Sequence, residues 1–156
     1  MKTRKHLKTG RPARALGFAL LASLLLTGAV TAEARPITLR ATLILASDRG
    51  APLDRRLEHV EYKLRRIFGF EYYKHYGEAS AVINVPGSVT LSLGHGYRLL
   101  VHLTDGGKGR VRAHVKWLGH DQVLLSTAVN MKKNTPAILG GPSHEGGTLI
   151  MTLVAE

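Results

Sequence analysis

Cations and histidines recur at alternate positions on two apolar segments near the middle of the chain. Arg98, His102 and Thr104 fall between Leu99, Val101 and Leu103, and Arg110, Arg112, His114 and Lys116 fall between Val111, Ala113, Val115 and Trp117. A period of two is the mark of a half-buried strand. The intervening Asp105-Gly106-Gly107-Lys108-Gly109 reads as a five-residue hairpin loop. It would set Leu103 opposite Val111, Val101 opposite Ala113 and Leu99 opposite Val115. Both apolar rows then share one face, and the other face collects Arg98, His102, Arg110, Arg112, His114 and Lys116. Guanidinium forks suit phosphate and carboxylate groups, as carried by lipid headgroups, cell-wall polymers or nucleic acid. Nucleic-acid platforms on sheets interleave aromatic rings among the cations, and this face has none, which argues against nucleic acid. A solvated face that serves only solubility has the same composition, so the six residues are candidates for binding an anionic partner.

Other chemistry is less well supported. The chain has eight histidines, but His95, His102, His114, His120 and His144 are scattered and belong to no HExxH motif, so no metal site is expected. Gly141-Pro142-Ser143-His144-Glu145-Gly146 approaches the G-x-S-x-G nucleophile elbow, yet Glu145 stands where the second glycine belongs. Its context is strand-turn-strand where an elbow needs strand-turn-helix. Asp105 or Asp121 could complete a triad only as most chains of this size could. Gly106-Gly107-Lys108-Gly109 lacks phosphate-loop spacing and reads as a turn. No catalytic residue and no cofactor is expected.

The elements that position these residues begin with the stretch from Pro52 to Tyr76. Leu57, Val60, Leu64, Ile67 and Phe68 recur at helical spacing, Asp54 is a candidate N-cap, and Gly69 ends the helix. Tyr72, Tyr73 and Tyr76 follow and are expected to fill the seam between this helix and a sheet. Thr38 to Ala46 reads as a strand before the helix. About seven strands follow it, separated by Gly-rich turns at intervals of 8–12 residues. The fold class is α+β: a mostly antiparallel β meander, as a sandwich or open barrel, with one amphipathic helix after the first strand.

The chain is 156 residues long and carries a formal net charge of +11. Six basic residues between Lys2 and Arg14, the apolar run Ala15 to Val30 and the small residues up to Ala34 follow the order of a secretory signal peptide, cut after Ala32 or Ala34. The expected organisation is therefore a signal peptide over 1–34 and a single α+β domain over 35–156. Without the leader, 16 Lys and Arg face 10 Asp and Glu, a net +6. The absence of cysteine excludes disulfides, thiolate metal sites and a cysteine nucleophile. Leader removal is expected to leave no membrane span and a periplasmic or secreted domain.

With its SD turn, the helix end LRRIFGFEYY, the VPG turn and the terminal ILGGP…GGTLIMTL pair, the chain resembles a loose group of small secreted bacterial proteins of unknown function. That resemblance implies a compact envelope or secreted domain and carries no active-site residue. Three functions stay open. The first is an exported accessory or interaction module that binds an anionic envelope component or a larger assembly. The second is a hydrolase acting on an envelope polymer around Ser143, His144 and Glu145. The third is a structural subunit joining an assembly by strand addition.

Overall fold

The computed structural model describes residues 35–50 and 53–156. The expected leader and its cleavage site lie outside the described residues, as do Ala51 and Pro52. Among the described residues no helix is long and apolar enough to cross a membrane.

Among the described residues eight strands form two separate antiparallel sheets. The strands are β1 (Arg35–Ser47), β2 (Tyr72–Val85), β3 (Gly87–Gly94), β4 (Tyr97–Gly107), β5 (Arg110–Gly119), β6 (Gln122–Lys132), β7 (Ala137–His144) and β8 (Gly147–Ala155), with helix α1 (Glu58–Phe68) after the first. The first sheet has the order β2-β1-β8-β7 and the second is the meander β3-β4-β5-β6. Leu39, Leu43, Met151 and Leu153 from the first sheet meet Leu99, Leu103, Val115 and Trp117 from the second in one core. The described residues thus form a β-sandwich with one α-helix. Seven strands follow the helix, as the turn spacing predicts.

The central strands β1 and β8 bury apolar residues on both faces. Their outer residues Ile44, Ala46 and Ile150 form a second core with Leu57, Val60 and Leu64 of the helical segment and with Tyr73. The helical segment opens with a short 3-10 turn, Arg55–Leu57, where the Asp54 carboxylate accepts from the Arg56 backbone N–H at 3.1 Å. The Arg56 guanidinium donates to the same carboxylate at 3.0 and 2.6 Å, and this hydrogen bonding holds Asp54 down to about 2. Gly69 closes α1 in the left-handed conformation (φ 71°), its N–H donating to the Arg65 carbonyl. One stripe residue departs from expectation. Ile67 is 58% exposed, and half-buried Phe68 packs instead. Of the three tyrosines expected in the seam, Tyr73 lies there, under the Arg65 guanidinium; Tyr76 points to the opposite side of β2.

The second sheet corrects the hairpin register. The loop between β4 and β5 is the two-residue turn Lys108-Gly109, and Leu103 pairs with Ala113, Val101 with Val115 and Leu99 with Trp117. Both turn residues have positive φ, at 53° and 70°, the geometry whose twist matches antiparallel strands. The shift from the expected pairing is two residues, so every side chain keeps its face.

Candidate functional site

The outer face of the second sheet is built from alternate residues of four strands. One rung across it is Ser88, His102, His114 and Ala128; the next is Thr90, Leu100, Lys116 and Ser126. These two rungs floor and rim an open depression of about 560 Å³. Beyond them, towards the Lys108-Gly109 turn, come Thr104, Arg112 and Asn130, and then Arg110 beside Lys132. Arg98 lies at the other end, across from Leu118. Arg98, His102, Arg110, Arg112, His114 and Lys116 are all exposed on this one face.

Their surroundings separate them. Arg98 donates to the carboxylate of Asp121, which reaches over from the turn between β5 and β6. It is therefore compensated, by an acid that lies outside the hairpin in sequence. Arg112 donates from Nε to the Asn130 amide oxygen at 3.3 Å, a neutral partner. Among the described residues, Arg110, Arg112 and Lys116 take part in no ion pair. His102 and His114 face one another across β4 and β5 with ring centroids 6.4 Å apart, and the His102 Nδ1 lies 2.7 Å from the Ser88 hydroxyl. Serine beside histidine makes two members of a nucleophilic triad. Among the described residues no carboxylate orients His102, so the pair lacks the third member such chemistry uses.

The scattered histidines are partly gathered at one end of the sandwich. Three two-residue turns of the same left-handed type, His95-Gly96, His120-Asp121 and Glu145-Gly146, stack there. Tyr76 stacks on His95 at 4.4 Å, and Tyr97 meets His120 and His144 edge-on at 5.8 and 5.9 Å. His144 is held between two phenols, with Nε2 3.1 Å from the Tyr76 hydroxyl and Nδ1 3.3 Å from that of Tyr97. Burial raises the Tyr97 hydroxyl above its usual range, and the nearby Tyr76 and Glu145 add to that. Local spacing could not reveal this cluster, since each histidine comes from a different hairpin. The only sequence signal is a histidine at or beside each of three turns.

The cluster also bears on the hydrolase candidate. Ser143 is exposed, whereas both ring nitrogens of the neighbouring His144 face tyrosine hydroxyls, and its Nε2 also lies 3.6 Å from the Glu145 carboxylate. Among the described residues no group of three His, Cys, Asp or Glu side chains is arranged to hold a metal ion. No family model, no curated protein and no solved structure matches this chain.

Proposed function

We propose that the domain is an exported binding module that holds an anionic component of the cell envelope on the outer face of its second sheet. The observation that carries this reading is the lack of compensation around Arg110, Arg112 and Lys116: three exposed cations on one strand whose neighbours across the sheet include no acid. Like charges held at fixed spacing repel, and an anionic partner relieves that repulsion while releasing its own counterions. The leader-like order of residues 1–34 supports export, and an envelope rich in phosphate and carboxylate polymers supplies partners of the right charge.

Replacing Arg110 and Arg112 together with serine tests the reading. Hydrogen bonds to charged groups contribute roughly 1.5–3 kcal/mol, so loss of one or both lowers affinity for lipopolysaccharide or a teichoic-type polymer about tenfold or more. The control is Lys63→Ser with Arg66→Ser, which removes equal charge from the exposed side of α1. Lys132 is unsuitable as a control because it sits beside Arg110 on the same face. Titration at low and moderate salt, with thermal unfolding of each variant, reads the result. Equal losses in both double variants would reduce the face to net charge, and a parent protein that binds neither polymer would end the proposal.

A further inference from the structure

Resting on that reading, we infer that the ligand is a linear polyanion laid lengthwise along β5, and not a compact headgroup or a flat anionic membrane. The first reason is where the cations stand. The outward positions of β5 are, in succession, Arg110, Arg112, His114 and Lys116, with no small or acidic residue among them. Both flanks are short or uncharged over much of this length: Thr104 and Leu100 on β4, Asn130, Ala128 and Ser126 on β6. The result is a file of cations along β5 whose neighbours are mainly hydroxyl, amide and apolar groups, with Lys132 beside Arg110 and His102 beside His114.

The second reason is spacing. Alternate residues on a strand stand about 6.7 Å apart, so the file from Arg110 to Lys116 covers about 20 Å. A monovalent group or a single headgroup reaches one or two of these side chains. A chain with anions at regular intervals reaches all of them, and the second and later contacts form at high effective concentration. Shape is the third reason. The middle of the face is a hollow of about 560 Å³ beside His114 and Lys116, which a chain one polymer wide can cross and a planar bilayer cannot fill. Arg98 is outside the file, on β4, and already carries Asp121.

Linear inorganic polyphosphates of graded length, from orthophosphate upward, test the file directly. Affinity per chain is expected to climb steeply until the chain spans about 20 Å and then to flatten. Lys116→Ser should shift the plateau to shorter chains and weaken the longest ones about tenfold, because it removes one end of the file. Arg98→Ser, with the same change in charge, should leave the length profile unchanged. Both positions are exposed, and thermal unfolding of each variant checks that it is folded. A smooth rise with total charge and no plateau overturns the lengthwise file while leaving the anion-binding module standing. Equal effects of Lys116→Ser and Arg98→Ser do the same. Capture by vesicles of anionic phospholipid that polyphosphate fails to displace would replace the polymer with a membrane. If no polyphosphate, envelope polymer or vesicle binds, both proposals fall.

Discussion

Replacing Leu64 with alanine is expected to lower the free energy of unfolding by about 2–5 kcal/mol, through lost burial and the cavity left behind. Leu64 has no exposed surface and sits among Ile44, Ala46, Leu57, Val60, Tyr73 and Ile150. This small second core is what holds α1. At 11 residues the helix is too short to persist by itself in water, so its stability comes from docking. The ion pair from Arg65 to Glu61 at 2.8 Å is exposed and contributes little beside that burial. Lys63→Ala, one residue away on the solvent side, should change stability by less than about 0.5 kcal/mol. Denaturant titrations of the two variants settle the matter, and similar shifts in midpoint would mean that the docking face is wrong.

Gly77→Ala should be at least as damaging, at about 3 kcal/mol or more, because it overpacks a site with no room to yield. A β-carbon at Gly77 would lie 1.9 Å from the Leu93 carbonyl oxygen, which belongs to the opposite sheet. Backbone meets backbone there, so no side chain can rotate away. The same region holds the irregularity in β2, where Leu43 pairs with Gly77 and Ile44 with His75, leaving Tyr76 as the extra residue. Gly69→Ala is the informative comparison. It has positive φ but nothing within 4 Å of its β-carbon, so only left-handed strain of about 1–2 kcal/mol is at stake. Thermal unfolding that ranks Gly69→Ala as the costlier of the two would show that the sheets do not touch as described.

The faces of β4 and β5 were legible in the sequence because their side chains alternate and because an error of two residues in register changes no face. The register itself was not. It depends on Lys108 and Gly109 both turning left-handed, which a Gly-rich stretch permits at several positions. Helical period sufficed for Leu57, Val60 and Leu64, whereas Ile67 stays exposed, since the period marks a stripe but not which of its residues meets a neighbour. Compensation of Arg98 by Asp121 and the meeting of His95, His120 and His144 around two tyrosines arise from stacked hairpin tips. They join residues from different hairpins, so spacing along the chain does not bring them together.

The pairing of β1 with β8 sets an order of events when the chain folds. Each strand of the second sheet pairs with its neighbour in sequence, so that layer closes only short loops. The first sheet instead joins opposite ends of the domain, with Thr38 and Glu156 exchanging backbone hydrogen bonds of 3.1 and 2.8 Å. As the chain emerges from a ribosome or a translocation pore, β3 to β6 have all their partners in hand while β1 still has an open edge. That strand buries apolar residues on both faces, so until β8 arrives it is the segment most in need of a chaperone. In pulse-labelled refolding, amides of β4 and β5 should gain protection from exchange before those of β1 that pair with β8. Simultaneous protection of both layers would mean that the long-range closure comes first.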